Sequence, residues 1–269
     1  MLDRESYSLG FGTYSLTDED GTDSLVTAIE AGYRHLDTAR LYGNEQEVGD
    51  AIDRANVDRE ELFVATKIAH FEEPDPDPEY VRSGVADSLS RLGIETIDLL
   101  YHHWPQQQAD IETVLPVFND LVEAGVVDRV GVSNYTPSDL EKADDLLEVP
   151  LYALQAEMHP LLPQETLRDA VSERDAYFVA YSPIAQGEVF DIPEISEIAD
   201  KHETDEAAVT LAWLLSKEGV VPIPRSQTPA HIRANRVALE LDLDDEDLTQ
   251  IDALERRKRC EDPEWMEWE

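Results

Sequence analysis

A short apolar block followed by a segment of helical apolar spacing recurs eight times along the 269 residues, and no other feature constrains the fold as much. The blocks lie near 8–12, 35–38, 63–68, 97–103, 127–132, 152–157, 177–182 and 220–223. Each has strand length and is rich in β-branched, aromatic or leucine residues. Between and after them, 24–31, 44–54, 78–92, 111–124, 137–147, 164–172, 193–202 with 205–217, 229–239 and 245–257 place apolar residues three and four apart, the period of a helix with one buried face. Alternation runs to the end without a Gly/Ser/Pro-rich linker, so one parallel α/β domain covering 1–269 is expected. Eight repeats favour a closed (β/α)8 TIM barrel over an open doubly wound sheet. Six of the blocks end in polar, potentially reactive residues: Asp37, Lys67, His103, Ser133 with Asn134, Gln155 and Ser182. In such a barrel the carboxyl ends of all strands gather on one face, where active sites are built.

Charge narrows the partners. Against 60 Asp and Glu stand 21 Lys and Arg, a net charge of −39, which repels nucleic acid and anionic membrane. A hydrophobic content of 42%, concentrated in compact blocks, separates the chain from acidic disordered segments. An ordinary acidic enzyme would fit, but adaptation to molar salt fits better, because there the Debye length falls to about 3 Å and carboxylate self-repulsion is screened. No run approaches the roughly 20 apolar residues of a membrane span. The opening MLDRESYSLG lacks the apolar stretch of a signal peptide, and the single Cys260 permits no internal disulfide. A cytoplasmic protein is expected. Only five of the basic residues are lysines, so Lys67 invites a local explanation.

The chemistry concentrates at neighbouring strand ends. In "DLLYHHWP" strand alternation sends His102 and His103 to opposite faces, so only one can share a site with Lys67 of "VATKI" and Asp37 of "HLDTA". Tyr42, in "LYGNE", follows Asp37 on the next loop. An ammonium beside a phenol favours phenolate: at about 4 Å and an effective dielectric near 20 it supplies on the order of 4 kcal/mol. Asp37 would keep Lys67 charged and oriented, and a neutral histidine could position a carbonyl oxygen against the Tyr42 hydroxyl. Taken singly, these residues read as a structural salt bridge, a packed tyrosine and a satisfied histidine. Convergence is what gives them a function. The seven histidines are dispersed, with no HxH or HExxH, and no metal site is expected.

The motifs "GFGTY", "AGYRHLDTARLYGNEQEVGDAI", "VATKI", "IDLLYHHWP", "VGVSNY", "LQAEMHP", "AYSPI" and "VVPIPRS", in this order from about residue 9 to residue 235, resemble the aldo-keto reductases, most of all the microbial diketogluconate-reductase-like branch. The resemblance implies a single barrel that binds NAD(P)H without a Rossmann fold, and no G-x-G-x-x-G opens a helix here. It implies a catalytic tetrad of Asp37, Tyr42, Lys67 and His103, and it alone selects His103 over His102. It also implies a cofactor site in which Ser133, Asn134 and Gln155 bind the nicotinamide carboxamide and Tyr181 stacks on the ring. Ser182 would approach the pyrophosphate, Arg225 and Ser226 would grip an adenosine 2′-phosphate, and Gly12, Thr13 and Asn235 would complete the set.

Two positions depart from the family pattern: His231 stands where an arginine is frequent and Ala234 where a glutamate is. Arg233 could compensate only by pointing inward. NADP(H) is expected over NAD(H), since a guanidinium at Arg225 takes a phosphate bidentately. Tyr14 and Trp104 resemble pocket-lining aromatics, and Trp265 and Trp268 would either close the pocket or anchor the tail. The implied reaction is reversible hydride transfer to an aldehyde or ketone, with Tyr42 as proton donor and small carbonyls, dicarbonyls or keto-sugars as substrates of a monomer. A cofactor-sensing protein on the same fold is the alternative, against which the complete tetrad counts.

Overall fold

Eight parallel strands follow one another in sequence order, each hydrogen-bonded to the next. They are β1 (Phe11–Gly12), β2 (His35–Asp37), β3 (Phe63–Ile68), β4 (Leu99–His102), β5 (Val130–Ser133), β6 (Leu151–Glu157), β7 (Tyr177–Tyr181) and β8 (Val220–Pro222). The computed structural model describes residues 7–69, 76–105, 108–264, 266 and 268. Backbone N–H groups of Gly10 and Gly12 donate to the carbonyls of Pro222 at 3.0 Å and Pro224 at 3.1 Å, joining the last strand to the first. The ring is thereby closed, and the (β/α)8 barrel expected from the repeats is what forms.

The helices alternate with the strands: α1 (Asp18–Glu30), α2 (Glu45–Arg54), α3 (Pro78–Leu92), α4 (Gln108–Glu123), α5 (Pro137–Leu146), α6 (Glu165–Ser172), α7 (Pro193–Lys201), α8 (Glu206–Leu215), α9 (Pro229–Ala234) and α10 (Asp245–Asp252). Carboxylates serve several of their starts. Thr136 and Asp139 form a capping box on α5, as Asp244 and Asp247 do on α10. Such caps contribute about 1 kcal/mol each. Helix α1 begins at Asp18, earlier than the apolar spacing suggests, because Asp18, Glu19 and Asp20 favour a helix N-terminus. Helix α10 ends at Asp252 rather than continuing to 257, and the backbone N–H of Lys258 goes to the carbonyl of Leu161 at 3.0 Å.

Strand alternation divides the core in two. Leu36, Val64, Leu100, Val132, Leu154 and Phe178 face outward against the helices. Phe63, Ala65, Leu99, Tyr101, Ala153, Val179 and Ile223 fill the lumen. Small residues make room for large ones: a Cβ on Gly131 would lie 2.6 Å from the Tyr101 ring, and one on Gly10 would lie 2.7 Å from His35 Nδ1. The inward rows continue upward to polar residues at the carboxyl ends.

Candidate active site

Asp37 is the last residue of β2 and Lys67 the fifth of β3, both inward and buried. Lys67 Nζ donates to Asp37 Oδ1 at 2.5 Å, to the Thr38 carbonyl at 2.8 Å and to the Tyr42 hydroxyl at 3.4 Å. Tyr42 closes a 3-10 turn, Arg40–Tyr42, that ends at Gly43 with φ 66°, a left-handed value glycine adopts freely. His103 follows β4, its N–H on the Ile68 carbonyl at 2.9 Å. Its ring meets the Tyr42 ring edge-on at 5.8 Å between centroids. Asp37, Tyr42, Lys67 and His103 therefore converge at the carboxyl end of the barrel.

The histidine doublet separates as alternation requires. His102 turns outward, where Nδ1 lies 2.6 Å from the buried Tyr135 hydroxyl. Burial pushes its pKa down to about 3, so it is neutral.

Burial alone would lower the Lys67 pKa, but Asp37, Tyr42 and their hydrogen bonds outweigh it and hold the ammonium above its ordinary value. The lowering that the Lys67 ammonium exerts on Tyr42 is present but does not prevail. Burial raises the Tyr42 pKa by more than Lys67 lowers it, and the hydroxyl keeps its proton.

The residues implied for the cofactor lie on the same face. Asn134, in left-handed backbone at φ 60°, donates to the His103 carbonyl at 3.2 Å and Ser133 Oγ at 3.0 Å. Its Oδ1 accepts the Tyr181 hydroxyl at 2.8 Å. Gln155 Nε2 donates to Asp37 Oδ2 at 2.7 Å, so its amide N–H serves the carboxylate. Ser182 is also left-handed, at φ 48°. A Cβ on Gly12 would come within 2.9 Å of the Ile223 carbonyl oxygen. Thr13 Oγ1 is buried with no hydrogen-bond partner among the described residues. Asn235 is buried at the end of α9.

Beyond β8, Arg225 is exposed, donating Nε to the Tyr14 carbonyl at 3.0 Å and Nη2 to Ser15 Oγ. Ser226 Oγ accepts the Thr228 N–H at 3.1 Å. Arg233 does not turn inward: it is exposed and donates to the Pro229 carbonyl of its own helix at 3.1 Å. His231 is exposed as well.

Tyr14 is 64% exposed and stands edge-on to Tyr42 at 5.1 Å. Trp104 is buried and meets Trp268 at 6.1 Å. Trp268 is itself covered by the Arg259 guanidinium at 3.8 Å, a contact within the tail, so the Trp104 ring is where it meets the barrel. Trp265 lies outside the described residues.

One neighbour of the site escapes sequence reasoning. Glu157, two residues beyond Gln155 on β6, accepts His159 Nε2 at 2.7 Å and the backbone N–H groups of Cys260 at 2.6 Å and Glu261 at 2.8 Å. Burial would raise its carboxyl; the donors outweigh that and hold it below its ordinary value. The tail is thus fastened beside the site. Glu157, His159 and Cys260 bring potential metal-ligand atoms within 4.8 Å of one another, a grouping that histidines dispersed along the sequence do not foretell. "LQAEMHP" contained two of the three.

Residues 8–256 match the aldo/keto reductase family. The chain belongs to that family. An aldo-keto reductase of Mycolicibacterium smegmatis is 34% identical over 253 residues, covering 93% of this chain and 90% of the relative. Methylglyoxal reductase DkgA of Escherichia coli is 34% identical over 255 residues, with the same two coverages, 93% and 90%. The crystal structure of MGS-M4, an aldo-keto reductase enzyme from a Medee basin deep-sea metagenome library, superposes with a TM-score of 0.89 at 32% identity, over 93% of this chain and 92% of the other. As an aldo/keto reductase, the protein is a carbonyl-reducing oxidoreductase that works with a nicotinamide cofactor on a small-molecule substrate. No helix among the described residues is long and apolar enough to cross a membrane.

Proposed function

We propose that this aldo/keto reductase reduces small aldehydes, dicarbonyls or keto-sugars to alcohols, with NADPH preferred to NADH and with Asp37, Tyr42, Lys67 and His103 as its catalytic residues. The observation that carries the reading is the buried chain from Asp37 through Lys67 Nζ, at 2.5 Å, to the Tyr42 hydroxyl, at 3.4 Å. The similarity to a relative named methylglyoxal reductase supports a small dicarbonyl as the substrate class.

The residues present suit a nicotinamide dinucleotide. Thr13 Oγ1 is an orphaned buried polar atom, Gly12 leaves no room for a side chain, and Asn134 and Ser182 hold left-handed conformations near the strand ends. Such strained positions persist where a site is built around them. Ser133, Asn134 and Gln155 would hold the carboxamide, Tyr181 would form the platform for the ring, and Ser182, Ser226 and Asn235 would line the rest. The reduced nicotinamide, when bound, supplies the hydride.

The protein supplies the proton. Tyr42 gives its hydroxyl proton to the carbonyl oxygen while His103 directs that oxygen toward it. Lys67 stabilises the negative charge that develops on the Tyr42 oxygen as the proton leaves. Asp37 keeps the ammonium charged and fixed in direction, and Gln155 holds Asp37. Tyr14 and Trp104 flank the place of the substrate.

NADPH preference rests on Arg225, whose backbone and hydroxyl partners Tyr14 and Ser15 hold the guanidinium at the rim. The same reading takes residues 1–269 as one barrel domain, monomeric, cytoplasmic and adapted to high salt, with no nucleic-acid or membrane partner. The test is loss of reduced-nicotinamide absorbance in molar KCl with NADPH and NADH in parallel, against small aldehydes, dicarbonyls and keto-sugars. Turnover in the native protein that is lost in Tyr42→Phe, with cofactor binding retained, supports the assignment. Equal turnover in Tyr42→Phe removes the proton donor, and cofactor binding without turnover in the native protein favours a sensor.

A further inference from the structure

Asn44 stands at the N-cap of α2, where an asparagine side chain ordinarily accepts from its own helix's first turn, yet this side chain is spent elsewhere. It is fully buried, two residues beyond Tyr42 and next to the left-handed Gly43. Its Nδ2 donates to the carbonyls of Thr13 at 2.7 Å and Leu16 at 2.9 Å. Its Oδ1 accepts the Thr38 hydroxyl at 3.0 Å. Carbonyls can only accept, so the two of them fix which way the carboxamide faces.

The groups that Asn44 joins surround the proton donor. Residues 13–16 connect β1 to α1 and carry Tyr14, whose ring stands edge-on to Tyr42 at 5.1 Å. Thr38 directly follows β2. Its N–H goes to the Ala65 carbonyl of β3 at 2.9 Å, and its own carbonyl accepts from Lys67 Nζ at 2.8 Å. Backbone thus holds Thr38 on the strand side and Asn44 holds it on the loop side.

Lys67 depends on where that carbonyl sits. An ammonium has three N–H groups. Asp37 Oδ1, the Thr38 carbonyl and the Tyr42 hydroxyl take them at 2.5, 2.8 and 3.4 Å. A tetrahedral nitrogen points its third N–H at Tyr42 only while the first two acceptors stay in place. Each of those acceptors has a buried amide behind it: Gln155 Nε2 on Asp37 at 2.7 Å, and Asn44 on Thr38. The Tyr42 contact is the longest of the three, and it is the one that a small shift breaks.

We propose, on the reading of Tyr42 as proton donor, that Asn44 is a positioning residue for it: the carboxamide fixes the Thr38 carbonyl, and through it the direction and distance of the Lys67 ammonium from the Tyr42 hydroxyl. That ammonium stabilises the charge left on the Tyr42 oxygen as the proton departs, an effect that falls with distance. Misplacing a reacting group by about 1 Å can cost about a hundredfold in rate, so loss of one bracing hydrogen bond is expected to cost about tenfold.

The test begins with Thr38→Val, which deletes the hydroxyl but keeps the backbone carbonyl and the bonds from Asn44 to Thr13 and Leu16. Its crystal structure should show Lys67 Nζ farther from the Tyr42 oxygen than 3.4 Å. Carbonyl reduction should lose about tenfold in kcat, with cofactor Kd and substrate KM unchanged. Alcohol oxidation, which needs Tyr42 deprotonated, should rise at a higher pH than in the native protein, because a more distant ammonium lowers the phenol less. Thr38→Ser, which restores the hydroxyl, should restore all of these.

Asn44→Asp separates bracing from capping. Aspartate caps a helix as well as asparagine does, so a capping role predicts no loss. A carboxylate cannot donate to the Thr13 and Leu16 carbonyls, so the bracing role predicts a fall in kcat at least as large as in Thr38→Val. The proposal is overturned by a native Lys67–Tyr42 distance in Thr38→Val, by a native kcat and pH profile in that variant, by failure of Thr38→Ser to rescue, or by a neutral Asn44→Asp. Tyr42→Phe keeps the two readings apart: native turnover in that variant removes the proton donor, while the crystallographic distance in Thr38→Val still decides whether Asn44 positions Lys67.

Discussion

Gln155 and Asp37, 118 residues apart in the chain, are joined by a buried hydrogen bond of 2.7 Å on the carboxylate oxygen that Lys67 does not take. The bond ties the sixth strand to the second across the lumen. Lys67 and Asp37 are also almost fully buried, at 0% and 2% side-chain exposure. Removing one partner of such a pair leaves an uncompensated buried charge. Asp37→Asn is therefore expected to cost about 3–5 kcal/mol of stability and to depress turnover, because an amide cannot serve as counter-charge to the ammonium. Denaturant unfolding at one fixed salt concentration measures the first effect, and steady-state kinetics the second.

The raised pKa of Tyr42 sets the pH profile of the reaction. A proton donor must be protonated, so carbonyl reduction should stay level through neutral pH. It should decline only on the alkaline side of the ordinary phenol value, about 10. Alcohol oxidation needs the deprotonated group and should rise over the same range. Rates in the two directions, read over a pH series with cofactor saturating, provide the check; a reductive rate already falling below neutrality would contradict it.

His35 and His102 make the fold sensitive to acid in a different window. Their ordinary value is 6.5, and burial lowers them to about 4 and about 3. Below 6.5 the unfolded chain takes up protons that the native state refuses. Their contribution to stability is therefore complete above about 6.5 and is lost as the pH falls toward 4 and then 3. Each should contribute a slope of about 1.4 kcal/mol per pH unit within its window. His102→Gln, which can still pair with the Tyr135 hydroxyl, should remove one such slope in unfolding measurements at a series of pH values.

Salt should stabilise this chain. With a net charge of −39, most carboxylates have no cation to pair with, and dissolved ions are left to screen them. Thermal unfolding followed from low to molar KCl should show a rising midpoint, and a midpoint independent of salt would refute salt adaptation.

Arg225→Ala should raise the KM for NADPH by about tenfold while leaving that for NADH nearly unchanged, since a charge-assisted phosphate contact is worth roughly 1.5–3 kcal/mol. Arg233→Ala should separate the cofactors little, because its side chain is spent on its own helix.

Much of the architecture was legible in the residues themselves. The block at 63–68 is β3 residue for residue, and Lys67 and Asp37 stand at strand ends that a closed ring brings together. Alternation alone separates His102 from His103, but the Tyr135 partner that explains the outward histidine lies 33 residues away and has no local sign. The ammonium's pull on the Tyr42 pKa was legible, but the larger opposing effect was not, because a sequence shows the neighbouring charge and not the depth of burial. Glu157 was hidden for a related reason: its partner amides belong to a tail more than 100 residues later, at |i−j| of 103 and 104. The placement of Tyr152 depends on a one-residue slip between β5 and β6, which periodicity cannot register.

The seam at Gly10 and Gly12 against Pro222 and Pro224 has a consequence for synthesis. It unites the first strand with the eighth, and Pro222 and Pro224 can only accept there, so the two backbone donors of the seam, Gly10 and Gly12, come from the N-terminal side. A chain growing from the ribosome exposes its first strand early and then carries that open edge until the eighth emerges. Until then the barrel is a curved sheet with one free rim, and completion of the ring is among the last events of biogenesis.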